Sequence, residues 1–444
     1  PFVLFFISLN LNAEEGYKII VGIFDTKDAE VQKFIADLKR ILPKNIIAST
    51  QDTDFSSDKM LVLEPFKTEK EANTFNEKLK ADFKNYSEAS YVSSLNKKND
   101  GGIAKESAEG VGPFGQRTAI GREKAIKLYG GSLGSETAVE SALAWLATVQ
   151  EKEGFWDSSK RGGKGTPEVN CAITGLALLA FLGAGNTEKE GNYKANVKSA
   201  ILWLIKNQDP KGSWDTRNYA NGICTMAMAE AAGMGCGGSD TKKSAELAVD
   251  YLLKEQNGSG CFDYTGPSAR DDMSVTGWCV MGLKSAMLAG IREADIKAAF
   301  HKCGDFLDKQ KGTDDNTSTS KGEAWYTPGS TGTGAAGGAC QAIAMLVRQY
   351  LGWERTAPWL EAAADGQVAH IPAAYAGSDV YRIYYSFLTL FQQGGKHWTA
   401  WNDPVSKMVV AAQRQDGDFR GSWDKNGCHL DKGGRVMYTA FLCL

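Results

Sequence analysis

The feature that most constrains this chain is a phrase it repeats. Trp145-Leu146 is followed by Gln150 and Gly154-Phe155-Trp156, and Trp203-Leu204 by Gln208 and Gly212-Ser213-Trp214. Tyr251-Leu252 is followed by Gln256 and Gly260-Cys261-Phe262, and a further copy keeps only the second half, Gln413 then Gly421-Ser422-Trp423. Around these turns an amphipathic helical pattern is each time succeeded by one that is apolar on nearly every face. A period of about 50 residues predicts a repeat architecture, because one helix pair cannot bury its own apolar face and must stack on its neighbours.

From Ser135 onward the pairing runs six times. Amphipathic members are expected at 135–150, 193–208, 241–256, 293–310, 357–369 and 403–415. Apolar members are expected at 169–183, 219–234, 272–290, 332–351, 379–393 and 433–444. An amphipathic helix has one face for a core and one for water, whereas a helix apolar all round is enclosed. Alternation of the two types describes an inner ring of helices wrapped by an outer ring: a mainly α fold, a closed six-pair α/α toroid over 135–444.

Residues 14–96 read differently. Tyr17–Phe24, 45–49, Lys59–Phe66 and 89–95 have strand character, while 29–42 and 69–83 carry apolar residues at helical spacing. The order is βαββαβ, the split arrangement of one sheet and two helices. Residues 97–134 are rich in Gly, Lys, Glu and Ser and read as a linker, with one possible helical piece at 120–129.

The net charge of −3 on 444 residues offers no basic footprint, so nucleic acid is not an expected partner. The opening run from Pro1 to Leu9, closed by Asn12-Ala13-Glu14, reads as the tail of a secretory signal peptide over 1–13; it predicts export to the periplasm or cell envelope. With no initiator Met and an end inside an apolar helix at Leu444, the chain is expected to be cut at both termini. The nine cysteines are not spaced as a disulfide scaffold: Cys171, Cys224, Cys279, Cys340 and Cys443 sit in apolar helical runs, where a thiol acts as a small hydrophobe. The four histidines are scattered. Cys428-His429 with Asp431 is the one weak metal candidate, loop residues being the plainer reading, and neither metal nor cofactor is expected.

Two resemblances follow from these segments. The Gln-x(3–5)-Gly-x-Trp pattern resembles the QW repeat of squalene cyclases, whose toroid belongs to the prenyltransferase/squalene-oxidase repeat superfamily. Asp272-Met-Ser-Val-Thr-Gly-Trp278, Gly337-Gly-Ala-Cys-Gln341, Phe391-Gln-Gln-Gly-Gly395, Gly421-Ser-Trp-Asp424 and Gly433-Gly-Arg-Val436 support the same likeness, to exported bacterial members with a single toroid. Val21-Gly22-Ile23-Phe24 and Leu63-Glu64-Pro65-Phe66, each preceding a helix, resemble the two half-motifs of the SPOR domain, although Glu64 stands where that family usually has Gly. The SPOR likeness implies binding to peptidoglycan glycan strands.

Within a toroid the inner helices run parallel, so residues at equivalent starts become neighbours. These are Glu168 and Asn170; Asn218 and Tyr219; Asp271 and Asp272; Thr331 and Thr333; Asp379 and Tyr381; and Gly434 and Arg435. Orphan N–H groups and convergent helix dipoles favour an oxygen-rich or negative ligand there, although Asp, Asn and Thr at such places are also ordinary N-caps. Asp271 and Asp272 are the candidate acids, since adjacent buried carboxyls raise each other's pKa. The resemblance implies a terpene-cyclase acid in an Asp-x-Asp-Asp motif, but Ser268-Ala-Arg-Asp-Asp272 lacks its first Asp and its spacing. Protein prenyl transfer would need a zinc-ligand arrangement that Asp424, Cys428 and His429 do not reproduce. Asn170, Tyr219, Asp379, Tyr381, Arg435 and Trp325 are the candidate ligand-binding residues, with Arg435 expected to pair with a carboxylate of a neighbouring repeat, or with the ligand when one is present. The favoured expectation is an envelope binding or scaffold module for a glycan or isoprenoid, tethered to peptidoglycan. An enzyme of the cyclase superfamily, or one acting on glycans, is the alternative.

Overall fold

The computed structural model describes residues 17–24, 35–40, 42, 47–52, 59–66, 74–75, 78, 91–94, 114–117, 121–122, 129–309, 324–327, 338–427 and 430–444. The chain forms two compact units, one holding residues 8–100 and the other 101–393 with 397–444.

In the small unit four strands, β1 (Tyr17–Phe24), β2 (Ile47–Asp52), β3 (Lys59–Phe66) and β4 (Tyr91–Ser94), form one sheet in the order β2-β3-β1-β4. Every neighbouring pair is antiparallel. Residues 35–40 are helical between β1 and β2, and 74–75 and 78 between β3 and β4. That is the split βαββαβ order expected from the sequence. Leu38 and Leu63 are fully buried and mark its core.

The large unit is helical. Its outer helices are α1 (Leu133–Thr148), α3 (Lys194–Lys206), α5 (Gly238–Glu255), α7 (Glu293–Lys309), α9 (Pro358–Ala369) and α11 (Gly395–Ala411). Its inner helices are α2 (Asn170–Gly183), α4 (Asn218–Gly233), α6 (Met273–Leu288), α8 (Ala339–Tyr350), α10 (Val380–Gln393) and α12 (Gly434–Cys443). The division follows polarity. In α5, burial falls on Thr241, Ser244, Ala245, Ala248, Val249 and Leu252, one stripe at three- and four-residue spacing. In α2 every residue is buried. Each inner helix packs on the next, and α12 returns to α2, so the ring closes. Among the described residues no helix is long and apolar enough to cross a membrane.

The repeated turn is the joint between outer helices. Gln150 Nε2 donates to Gly154 O and across to Asn196 O of α3, at 2.8 and 3.0 Å. Gln208 does the same to Gly212 O and Ser244 O, and Gln256 to Gly260 O and Ala299 O. Gln413 completes the circle, donating to Gly421 O and to Ala138 O of α1. Meanwhile the indole N–H of Trp156, Trp214 and Trp423 ends on a carbonyl of the preceding outer helix, Leu146, Leu204 and Val409 at 2.9, 2.7 and 2.7 Å. The glycine is obligatory for two reasons that coincide. Gly212 and Gly421 have φ of 105° and 87°, and a Cβ there would lie 2.1 Å from the carbonyl oxygen of Leu247 or Ser141 on the next outer helix.

Two expectations need correcting. Helix α11 begins at Gly395 rather than near 403, with Pro404 inside it instead of at its first turn. Trp398 and Trp401 therefore lie on an outer helix, packed edge-on against Phe387 of α10. The supposed linker is also partly structural: Phe114, Arg117 and Tyr129 are buried in the helical unit. Phe114 abuts Gly233 at the C-terminal end of α4, where a Cβ would meet its ring at 2.2 Å. Arg117 pairs with the fully buried Glu230 at 2.7 Å, and Ser285 of α6 donates to the same carboxylate.

Candidate functional site: the mouth of the toroid

A cavity of about 570 Å³ opens where the inner helices begin. Its wall takes Ala172, Ile173 and Leu176 from α2, Tyr219, Ala220 and Ile223 from α4, and Ser274 from α6. Ala339 and Cys340 of α8, Tyr381 of α10 and Met437 of α12 complete it. All six inner helices contribute their first two turns, so their N-termini do gather at one mouth. Beneath lies a packed aromatic cluster: Trp278 has Tyr384, Tyr385 and Phe441 at ring-centroid distances of 5.7, 5.8 and 6.0 Å. The ring is therefore a cup with a filled floor.

The rim holds the charge. Asp215 ion-pairs with Arg217 at 2.6 Å, and Asp379 and Lys432 also line the opening. Asp379 caps α10 by accepting from Tyr381 N at 3.0 Å, and among the described residues it makes no ion pair. On one side, hydroxyls converge: Ser274 Oγ and Tyr381 OH share a hydrogen bond of 2.8 Å, and Trp278 Nε1 donates to Tyr381 OH at 3.0 Å. Burial raises the phenol pKa values of Tyr219 and Tyr381, so both stay neutral. Burial pushes the Cys340 thiol up to about 12, with Asp272 and Asp379 adding to it, which makes it a poor nucleophile.

Of the residues nominated from sequence, Tyr219, Asp379 and Tyr381 line the cavity; the others do not. Asp272 is fully buried, accepts from Val275 N as the N-cap of α6, and pairs with Arg270 at 2.8 Å. Asp271 accepts from Asn257 Nδ2 and Ser259 Oγ, at 3.0 and 2.6 Å, inside its own loop. Asn170 holds the turn before α2 by accepting from Ser158 N. Trp325 is half-buried beside the opening, and its neighbour Tyr326 takes the wall position. Arg435 pairs with Asp424 of its own repeat rather than a neighbouring one; it also donates to Ser422 Oγ and lies 4.0 Å over the Phe419 ring. The reason is local, since the turn carrying Ser422 and Asp424 directly precedes α12.

Sequence reasoning missed Asp215, Arg217, Tyr264 and Lys432. A signal for the first existed: an Asp follows the turn aromatic in four repeats, as Asp157, Asp215, Asp263 and Asp424. Three of these acids pair with an arginine, namely Arg217, Arg270 and Arg435. Among the described residues no group of three His, Cys, Asp or Glu side chains could hold a metal ion, and Cys428 and His429 lie outside the described residues, as do Thr331 and Thr333.

No protein-family model matches the chain. Its sequence is similar to the squalene–hopene cyclases of Zymomonas mobilis, 30% identical over 91 residues, and Bradyrhizobium diazoefficiens, 30% over 88. These stretches cover 19% and 18% of this chain and only 13% and 12% of the two cyclases. Among solved structures, the type II terpene cyclase MstE from Scytonema aligns with a TM-score of 0.43 at 14% identity, covering 70% of this chain and 96% of that one. An α-1,6-mannanase of Salegentibacter, in complex with α-1,6-mannotriose, aligns with a TM-score of 0.50 at 10% identity, over 70% of this chain and 99% of the mannanase. The closed double ring, its glutamine–tryptophan joints and this local sequence similarity make the helical unit a squalene cyclase-like α/α toroid.

Proposed function

We propose that the toroid binds an apolar, isoprenoid-like ligand in the cup at its mouth, in the manner of the terpene cyclase class. The observation that carries this is the wall itself. Ala172, Ile173, Leu176, Ala220, Ile223 and Met437 offer a ligand no hydrogen-bonding side chain. A glycan hydroxyl set against these six residues would go unpaired, which is costly; the polar groups of the lining are Asp215, Arg217, Asp379 and Lys432 at the rim and Tyr219, Ser274 and Tyr381 on one side. The volume lies within the usual range for small-molecule sites, about 300–1,000 Å³. Of the carboxyls, Asp379 is the one at the opening that no described ion pair holds, because Asp271 and Asp272 do not line the cavity and Asp215 is held by Arg217.

Thermal shift and fluorescence titration with squalene, geranylgeraniol and α-1,6-mannotriose test the reading. The isoprenoids are expected to raise the melting temperature and the glycan to leave it unchanged. Ala172→Phe, which narrows the cup, is expected to weaken the response. Binding of mannotriose alone would turn the assignment toward glycans.

We propose further that residues 14–96 form a SPOR-like domain of an exported envelope protein. The half-motifs at Val21–Phe24 and Leu63–Phe66 and the antiparallel order β2-β3-β1-β4 support it. Co-sedimentation of the whole chain with peptidoglycan stripped of stem peptides is the check; a chain that stays folded in the supernatant argues for an unrelated α/β domain.

A further inference from the structure

Charge is unevenly distributed around the mouth. Of the four charged residues in the lining, Arg217 closes on Asp215 at 2.6 Å, and Asp379 lies in the field of Arg382, one turn further along α10. Lys432 is exposed, and among the described residues its amine makes no ion pair and no hydrogen bond. Two more lysines occupy the same corner. Lys164 and Lys425 both reach Asp431, at 3.1 and 3.2 Å, which sets three ammonium groups around one carboxylate. The Lys432 carbonyl lies against Gly165, the residue after Lys164, where a Cβ would meet it at 2.5 Å. Near the start of α4 the balance is the reverse, with Asp215 and Glu168 beside Arg217. Gly433 joins the basic corner to the aliphatic wall, since a Cβ there would lie 2.4 Å from the side chains of both Ile173 and Met437.

We propose that the cup takes an apolar chain ending in a single carboxylate, a terpenoid or fatty acid, with the chain against the α2–α12 wall and the carboxylate on Lys432. The inference rests on the apolar-ligand reading of the same cup and assigns that ligand's polar end. One open ammonium in the lining matches one negative charge. A diphosphate brings more than one, and would hold it beside Asp215 and Asp379 with a single free cation in answer. A neutral head group leaves the amine to water and forgoes a charge-assisted hydrogen bond. The aliphatic wall supplies most of the affinity, because an ion pair to an exposed amine is worth little and is screened by salt. What Lys432 supplies is the choice of which end of the ligand stays at the rim, and on which side.

The experiment titrates geranylgeranoic acid, geranylgeraniol and palmitate into the full chain, at low and high salt, read by quenching of tryptophan fluorescence. The parent is expected to prefer the terpenoid acid to the alcohol by about fivefold at low salt, and the margin to shrink as salt rises. Lys432→Met, which keeps the apolar stem at an exposed position, is expected to bring the two affinities together and abolish the salt dependence of their ratio. Lys432→Arg is expected to retain the preference. A merely structural role would lower both affinities together and leave their ratio alone. Palmitate that binds like the terpenoid acid assigns a fatty acid, and palmitate that fails assigns a terpenoid acid; either result supports the carboxylate. Equal affinities for acid and alcohol in the parent, or a preference that survives in Lys432→Met, overturn the proposal while leaving the apolar reading intact. If none of the three probes binds the parent, the reading of the cup falls and the proposal with it.

Discussion

At the scale of single residues, the ionisable groups divide sharply between those that face the cup and those enclosed by the fold. Lys284, midway along α6, belongs to the second kind. Burial, with a smaller contribution from Lys297, lowers its pKa to about 8, and its amine donates to the Tyr350 carbonyl at 3.5 Å, beside that residue's ring. In the unfolded chain the same amine titrates near ~10.4. Between the two values the unfolded state holds a proton that the folded state has lost, so stability rises with pH across that window, and below it the fold carries the full cost of a buried ammonium. Lys284→Met is therefore expected to stabilise the protein by on the order of 2 kcal/mol at neutral pH. Urea unfolding at roughly pH 7 and roughly pH 9.5 should show that advantage shrinking as pH rises.

Among the elements, the repeated turn matters most. One glutamine, one glycine and one aromatic connect an outer helix to its successor, and Trp423 N and Phe262 N are further tied to Thr439 and Thr276 of the inner helices behind them. Truncating such an aromatic removes packing and the indole bond to the preceding helix together. Trp423→Ala and Trp214→Ala are each expected to destabilise, by about 3–5 kcal/mol for a fully buried Trp. Trp423 should cost more, because it is 1% exposed while Trp214 is only half-buried. Calorimetry that finds the parent melting temperature in both variants would refute the structural role of the repeat.

For the molecule as a whole, the toroid's two ends differ. The N-terminal mouth is an open cup, and at the C-terminal ends of α4 and α6 the segment carrying Phe114 and Arg117 is built into the ring. There the Arg117–Glu230 pair is almost wholly enclosed, at 7% and 0% exposure. Removing one partner strands the other charge, which typically costs about 3–5 kcal/mol. Arg117→Met is thus expected to lower stability strongly, and Arg117→Met combined with Glu230→Leu to restore much of it. A double variant no better than the single one, by chemical denaturation, would show that the pair contributes more than mutual neutralisation.

What the sequence determined by itself was the architecture. Periodicity distinguishes helices apolar all round from helices with one apolar face, and six alternations leave little but a double ring. Because ring closure brings equivalent helix starts together, Tyr219, Asp379 and Tyr381 could be placed at one mouth from spacing alone. Only the tertiary structure decided which polar groups face the cup. Asp272 binds the free N–H of Val275 and the guanidinium of Arg270, both close in the chain, and Asp271 is taken by Asn257 and Ser259. Arg435 is likewise taken by the turn before its own helix. A carboxylate's nearest partners outcompete a distant cavity, and neither the direction of a side chain at a helix start nor the closure of a wall drawn from six helices is written in local periodicity. That is why the ring was legible and the acids were not.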